Sequence, residues 1–248
     1  MLEKVKGFII KTQDYGETHK IVTLFGQHTG KITAIARGAK KPKSRMAAVT
    51  QPFIYGEFLV YVTSNLGTMQ QGDIVESFRN IREDLVKTAY TAYVMELTDK
   101  LLDQKVPYDY LLMELYETCC WIAENKDASI PIMMYELKLY LAGGFAPVVD
   151  RCVHCASKDS PFAFSIQEGG LLCKNCLFTD DQAIPLTNTI VKLLYTFLNV
   201  SLKQVRNVTV KQENIQLLRK ILDAYYEQYG GYFLKSKRFL KQMDQLLD

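Results

Sequence analysis

The 248-residue sequence predicts an α+β protein with two domains, a β-barrel in residues 1–80 and an all-α domain in residues 81–248. Short apolar segments separated by turn residues fill the first part, whereas the apolar period becomes helical from Ile81 onward. Two Cys-x-x-Cys pairs interrupt the helical part and frame a hairpin in residues 150–180. A chain of this length can bury a separate hydrophobic core in each domain.

Five strands are expected in the first domain, because its apolar segments are short, rich in β-branched residues and bounded by turns. In order, these strands are Lys6–Thr12, Lys20–Phe25, Lys31–Arg37, Pro52–Val62 and Thr68–Ser77. Gly56 lies inside the fourth strand and predicts a bulge or a bend there. Five short strands are the common form of the oligonucleotide/oligosaccharide-binding (OB) fold, a small closed barrel.

The net charge of +3 conceals a basic N-terminal domain. Residues 1–80 carry eleven Lys and Arg against six Asp and Glu, whereas the remainder carries 19 against 21. Glu17 and Glu57 are consecutive acids, and seven bases lie between them: Lys20, Lys31, Arg37, Lys40, Lys41, Lys43 and Arg45. One end of the protein is therefore expected to bind a polyanion.

The segment Gly38–Arg45 (GAKKPKSR) predicts a mobile basic loop between the third and fourth strands. Five rings lie on the flanking strands: Tyr15, Phe25, Phe53, Tyr55 and Tyr61. Cationic side chains beside aromatic rings favour single-stranded nucleic acid, which needs phosphate contacts and stacking surfaces. A solvated loop that only keeps the protein soluble is the alternative. Aromatic rings also fill the interior of small barrels, so we expect about two of the five to face a ligand.

No motif in the sequence predicts catalysis. The segment Gly26–Ile32 (GQHTGKI) resembles a phosphate-binding loop, but it is one residue short between its glycines and lacks the Ser or Thr that follows the lysine. His19 and His28 lie near strand ends without a nucleophile at a recognisable spacing. Nothing else in the sequence suggests nucleotide hydrolysis.

Cys152, Cys155, Cys173 and Cys176 have the spacing of a tetrahedral Zn²⁺ site. Phe162–Ile166 alternates, Gly169 and Gly170 predict a turn, and the chain then returns to the second pair. Two disulfides or a redox-active pair are the alternatives. The charged start of the chain begins no secretory signal, which favours a reducing cytoplasmic location and thiols. A zinc ion with four protein ligands has no open position, so the predicted zinc is structural.

Six helices are expected in the second domain: 84–104, 108–123, 130–142, 186–198, 212–229 and 234–247. Pro185 is expected in the first turn of the fourth. Cys119 and Cys120 are interpreted as small buried hydrophobic residues, and His154 as an exposed residue inside the first cysteine pair. The C-terminal bases Lys235, Lys237, Arg238 and Lys241 have two open interpretations, a second anion contact or favourable charges at a helix end.

The first forty-five residues resemble the start of the bacterial RecO family of recombination mediators. The shared pattern is an apolar strand, Tyr15-Gly16-Glu17, a second strand, Gly30-Lys31, then Ala36-Arg37-Gly38-Ala39-Lys40-Lys41 and a basic loop. Gly144-Phe145-Ala146-Pro147, followed by the two cysteine pairs, also fits the cysteine-bearing members. Zinc cysteines are not universal in that family, which agrees with a structural metal.

The resemblance implies an OB-fold, a helical domain and a protein that binds single- and double-stranded DNA and anneals complementary strands without catalysis. It implies that the protein acts together with RecR and the single-stranded-DNA-binding protein, so that RecA loads at gaps. RecF and RecA are then indirect partners. It places DNA binding at Lys31, Arg37, Lys40, Lys41, Lys43 and Arg45, with Lys20 as a further candidate. A nucleoid-associated cytoplasmic location follows. The alternatives are an RNA-binding or transcription accessory protein of the zinc-ribbon type and an enzyme with a catalytic zinc.

Overall fold

The computed structural model describes residues 1–159, 161–205 and 209–247, and its contacts group the chain into two compact units. The first unit combines residues 1–126 with the C-terminal segment that begins at Leu234, and the second unit covers 127–233. This grouping by contacts places several helices with the barrel, whereas the sequence assigned every helix to the second domain. The division into folding domains 1–80 and 81–248 stays a prediction.

A closed five-stranded barrel forms the N-terminal part of the first unit, as predicted. Its strands are β1 Leu2–Tyr15, β2 His19–Gly26, β3 Gly30–Ala36, β4 Tyr55–Tyr61 and β5 Gly67–Glu76. Their order around the barrel is β1-β2-β3-β5-β4, and only the β3–β5 pairing is parallel. Alternate apolar side chains point into the barrel and form its core, among them Val5, Ile9, Val22, Leu24, Ile32 and Phe58.

Gly56 marks an irregularity in the barrel, as its position in the sequence predicted. The β4–β5 register shifts between Tyr55 and Gly56. A Cβ atom at Gly56 would lie 2.5 Å from the backbone oxygen of Asp73, so a larger residue could not pack there. A glycine at this point allows two strands to approach closely where the sheet curves.

Five helices accompany the barrel in the first unit: α1 Arg45–Val49, α2 Arg79–Arg82, α3 Leu85–Leu101, α4 Asp109–Glu124 and α9 Lys235–Leu247. The two long helices α3 and α4 confirm the predicted helical segments. The side chain of Asp84 accepts a hydrogen bond from the backbone nitrogen of Lys87, which fixes the start of α3. The short helices α1 and α2 were not predicted, because one turn carries too little periodicity to identify.

In its described residues, the second unit contains four α-helices, one short 3-10 helix (Lys174–Thr179) and a three-stranded sheet. Its helices are α5 Ser129–Ala142, α6 Asn188–Asn199, α7 Leu202–Val205 and α8 Gln212–Tyr229, and its strands are β6 Phe162–Ser165, β7 Gly170–Cys173 and β8 Ile184–Pro185. The expectation for Pro185 was wrong. It lies in β8, and the side chain of Thr187 caps α6 by accepting from the nitrogen of Ile190.

Two tyrosines of α8 form hydrogen bonds with the cysteine hairpin and with the segment before it. The hydroxyl of Tyr229 donates to the backbone oxygen of Gln167 at 2.7 Å, in the turn between β6 and β7. The hydroxyl of Tyr225 donates to the oxygen of Phe145 at 2.8 Å. All eight residues of β6 and β7 are buried, so both faces of this short hairpin are covered. Among the described residues, no helix has the length and apolar character required to cross a membrane.

Candidate nucleic-acid interface and candidate metal centre

The basic loop between β3 and α1 is folded onto the β1–β2 hairpin. The backbone nitrogen of Lys40 donates to the oxygen of Thr18 at 2.9 Å, and that of Gly38 donates to Nδ1 of His19 at 3.0 Å. Lys41 and Ser44 close two successive turns. Ala39 is buried and belongs to the barrel core. The loop is thus more ordered than its Gly, Pro and Ser content suggested, and its main chain has fixed anchors.

Most of the predicted DNA-binding side chains lie at the surface of this loop. The exposed ones are Arg37, Lys40, Lys41, Lys43 and Arg45, and Lys20 on β2 is half-buried. Arg37 directly follows β3, and Arg45 begins α1, so the exposed bases span the whole connection. Six of the seven predicted bases therefore lie on β2 and on the connection from β3 to α1.

Lys31 differs from the other six because its side chain is buried. Only 6% of that side chain is exposed, and its ammonium group donates to the backbone oxygen of Asp99 and lies 3.5 Å from the Asp99 carboxylate. Burial lowers the pKa of Lys31, and Asp99 opposes that shift. Because this ammonium group is buried and already bonded to Asp99, we no longer expect Lys31 to contact DNA.

The β2–β3 turn, which resembled a phosphate loop, packs against the chain between α3 and α4. The backbone nitrogen of His28 donates to the carboxylate of Asp109 at 2.7 Å. A Cβ atom at Gly30 would lie 2.2 Å from the backbone oxygen of Val106, and the φ of Gly30 is +65°. Only glycine fits this position. The turn has a structural role, as the spacing of its glycines indicated.

Two of the five aromatic residues are exposed. Phe25, Phe53 and Tyr55 are buried, whereas 48% of Tyr15 and 51% of Tyr61 is exposed. Tyr15 pairs with His19 at the hairpin end that carries the basic loop. Tyr61 pairs with Leu2 at the opposite end of β1. Tyr15 is therefore the aromatic side chain best placed to stack on a base beside the exposed lysines.

The four predicted cysteines form one cluster. Their sulfur atoms all lie within 4.8 Å of one another, and the sulfurs of Cys155 and Cys173 are 3.5 Å apart. Four sulfurs at the usual zinc distance would be about 3.8 Å apart. All four cysteines are free thiols, which contradicts the disulfide alternative. The donor set therefore fits a tetrahedral metal ion.

Backbone groups favour the thiolate form of one member of this cluster, Cys152. Burial raises the pKa of Cys152, but hydrogen bonds from the backbone of Cys155, Cys173 and His154 outweigh burial and lower that pKa to about 6. Burial and the neighbouring thiols instead raise the pKa of Cys176 to about 12. The thiolate is the metal-binding form of cysteine, so the lowered pKa of Cys152 favours metal binding at this residue.

Other candidate ligands lie outside the cluster. His154 is exposed, as expected, and its Nε2 atom lies 2.8 Å from a carboxylate oxygen of Glu168. Cys119 is fully buried on α4, which agrees with its interpretation as a small hydrophobic residue, and Cys120 beside it is partly exposed.

The C-terminal bases lie at the start of α9. Lys235 begins that helix, and Lys237 and Arg238 follow within its first turn, where the helix dipole disfavours positive charge. The interpretation as favourable helix-end charges is therefore wrong for these three, and the side chain of Lys241 lies outside the described residues. The carboxylate of Glu96 accepts from the backbone nitrogen of Ser236 at 2.9 Å and stabilises this helix start.

Two family models together cover nearly the whole chain. The model described as Recombination protein O N terminal matches residues 1–78, and the one described as Recombination protein O C terminal matches residues 82–238. The first corresponds to the barrel. The resemblance inferred from the opening motifs is therefore confirmed.

Several curated bacterial proteins are similar to this chain over nearly its full length. A DNA repair protein RecO of Oceanobacillus iheyensis is 54% identical over 244 residues, which are 98% of this chain and 95% of that protein. Proteins of the same name from Bacillus pumilus and Bacillus subtilis are each 44% identical over 246 residues, 99% of this chain and 96% of each relative.

Proposed function

This chain belongs to the recombination protein O family, and on that premise we propose that it binds single-stranded DNA at the basic loop and anneals complementary strands. Membership supports a role in DNA repair and recombination. We further propose that it also binds double-stranded DNA and acts with RecR on DNA covered by the single-stranded-DNA-binding protein. RecA would then load at the gap, and RecF would act indirectly. We propose that this activity takes place in the cytoplasm, in association with the nucleoid.

The proposal is carried by the group of exposed bases on the connection between β3 and α1. Lys40, Lys41 and Lys43 lie within four residues on a connection whose main chain is anchored at Thr18 and His19. Lysine side chains on a fixed main chain can neutralise successive phosphates, and each contact releases counterions from the DNA. Because these contacts carry no sequence information, they suit a protein that must act on any gap.

Charge neutralisation also accounts for annealing without a catalytic residue. Two complementary strands repel each other through their phosphates, and a basic surface that binds both strands reduces that repulsion. Bases stacked on exposed rings keep their hydrogen-bonding edges available for pairing. We therefore propose binding and strand pairing as the whole activity, and we assign no catalytic side chain.

We propose that the cysteine cluster binds Zn²⁺ and that the ion is structural. Four sulfur donors favour zinc among the common cellular metals, and a shell of four protein ligands has no position for a substrate. When bound, the metal crosslinks the two cysteine pairs. The cysteines themselves hold the ends of a hairpin whose strands have only four residues each.

Replacement of Lys40, Lys41 and Lys43 by Ala tests the DNA-binding proposal. With a labelled single strand, the slope of log binding constant against log salt should fall by about 2, at about 0.7 per lost phosphate contact. The rate of annealing should fall with it. The matched control replaces Lys158, Lys174 and Lys203, three exposed lysines of the second unit, and should leave the slope unchanged.

Two results would contradict the proposal. An unchanged slope in the triple variant would mean that the loop does not contact phosphate. A preference for RNA over single-stranded DNA at equal salt would favour the RNA-binding alternative, since OB-folds and basic loops also bind RNA.

A further inference from the structure

One acidic side chain lies among the proposed DNA-binding lysines. The carboxylate of Asp14 is 2.8 Å from the ammonium nitrogen of Lys40. Asp14 is also the cross-strand partner of Lys20 in the β1–β2 pairing. Side chains of directly opposed residues lie on the same face of a sheet, with Cβ atoms about 5 Å apart. One carboxylate therefore lies between two lysines that come from β2 and from the basic loop.

We propose that Lys20 and Lys40 form a phosphate subsite and that Asp14 occupies it as an internal competitor until DNA displaces it. This inference rests on the proposed function and adds to it a residue that limits affinity. A carboxylate and a phosphate offer the same kind of anionic oxygen to a lysine. The position that Asp14 holds in the free protein is thus the position that a DNA phosphate takes.

The surrounding structure permits this exchange. The main chain of Lys40 is held by its hydrogen bond to Thr18, so only the side chain has to turn away from Asp14. Roughly two thirds of the Asp14 side chain is exposed, and a phosphate can approach it from solvent. The hydrogen bond from Lys40 lowers the pKa of Asp14, and the charge of Lys20 adds to that shift. Asp14 therefore carries its charge at neutral pH and competes there.

An internal competitor suits a protein that must release DNA. Exposed ion pairs are weak, so Asp14 would reduce affinity without blocking the site. When the DNA leaves, Asp14 is ready to bind Lys40 again, which favours exchange over long residence. The affinity of the protein for single-stranded DNA should therefore be lower than it would be without Asp14.

The test measures binding of a labelled oligothymidylate to the full chain by fluorescence anisotropy, at several salt concentrations. Asp14→Asn should tighten binding by about 1.5- to 5-fold, the range expected when a competing exposed ion pair is removed. Asp14→Glu, which keeps the charge, should bind as the wild type does. Glu17→Gln is the matched control, since it removes one exposed acid from the tip of the same hairpin. It should give a clearly smaller gain.

A second pair of variants identifies the partner. The gain from Asp14→Asn should shrink when Lys40 is already Ala, because the ammonium group that pairs with Asp14 is then absent and only Lys20 remains in the subsite. Should Asp14→Asn fail to fold, as judged from its melting curve, Asp14→Ser removes the same charge and carries the same expectation.

The outcomes separate this inference from the function on which it rests. If the wild-type chain does not bind the oligothymidylate, the proposed function fails, and the inference with it. If the wild type binds and Asp14→Asn binds no better, Asp14 is not a competitor. An equal gain from Glu17→Gln, or an undiminished gain in the Lys40→Ala background, would show general charge repulsion and would also overturn the inference.

Discussion

The ammonium nitrogen of Lys31 lies 3.5 Å from one carboxylate oxygen of Asp99, and the other oxygen of that carboxylate accepts from Lys11 at 3.0 Å. Asp99 belongs to α3, whereas the two lysines belong to β3 and β1. One carboxylate therefore joins two strands of the barrel to a helix of the same compact unit. The backbone of Lys31 extends this contact, because its oxygen accepts from the nitrogen of Lys105 at 2.9 Å.

Lys31→Met should leave DNA binding unchanged, because the buried ammonium group does not reach the surface that carries the basic loop. The matched comparison is Arg37→Ala, which removes one positive charge from the exposed residue that directly follows β3. It should lower the salt slope for a single strand by about 0.7. Salt-dependent titrations of both variants check this. An equal loss of slope in Lys31→Met would mean that Lys31 contacts phosphate after all.

Asp99→Ala should destabilise the protein by about 3 kcal/mol, the lower end of the range for a broken buried ion pair, because Asp99 retains some access to water. The variant leaves Lys31 buried with its charge uncompensated. Urea unfolding measures the effect. Glu124→Ala, which removes an exposed acid from the end of α4, is the control and should change stability little. A small effect of Asp99→Ala would show that Lys31 finds water or another partner.

Lys31 should also make stability depend on pH in the alkaline range. Its pKa in the folded state lies below the ordinary 10.5, chiefly because of burial. Between the two pKa values the unfolded chain binds more protons than the folded chain, so the contribution of Lys31 to stability rises with pH. The difference in unfolding free energy between wild type and Lys31→Met should thus shift in favour of the wild type as pH approaches 10.5. A difference independent of pH would contradict the lowered pKa.

The elements of the barrel could be predicted because alternation and turn residues are local signals. The five strands appear in the expected order, and Gly56 marks the expected irregularity. The position of Lys31 could not be predicted in this way. It follows a glycine and begins a strand in a basic segment, as a surface lysine would. The residue that buries it is Asp99, 68 positions later.

The candidate site was predictable to a similar extent. Its bases were identified from an acid-free basic segment and from the family resemblance, whereas the ion pair of Lys40 with Asp14 depends on how the loop folds back onto the hairpin. Alternation did not distinguish the buried Tyr55 from the exposed Tyr15 either. Tyr55 packs against Phe8 and Tyr116, and Tyr116 belongs to α4, outside the predicted barrel domain. Such contacts between distant segments leave no pattern in the local sequence.

Tyr15→Ala should weaken binding of single-stranded DNA by about 1–3 kcal/mol, the usual contribution of one stacked base. The matched control is Tyr61→Ala, since Tyr61 has nearly the same exposure and lies on the same barrel, at the other end of β1. Tyr61→Ala should leave affinity unchanged. Anisotropy titrations at one salt concentration measure the affinity of each variant for single-stranded DNA. An equal loss in both would mean that the DNA also contacts the far end of the barrel.

Removal of the metal should lower the melting temperature, because four-residue strands have few hydrogen bonds with which to hold the hairpin alone. The zinc-loaded wild type should contain about one zinc ion per chain, in line with the closed four-cysteine shell. Chelation should reduce stability first and DNA affinity only as a consequence of unfolding. Loss of binding at unchanged stability would contradict a structural role.

Cys155→Ser separates coordination from packing. Cys155 is the one exposed member of the cysteine cluster, so its replacement leaves the buried contacts of the hairpin intact. With zinc present, this variant should melt at a lower temperature than the wild type, since a hydroxyl is a poor zinc ligand. After chelation the two proteins should melt together, because the sulfur then has little packing to lose. Cys120→Ser, outside the cluster, should retain the full zinc-dependent shift. If Cys155→Ser instead kept that shift, the ion would need only three of the four cysteines, and its fourth position would be open to water.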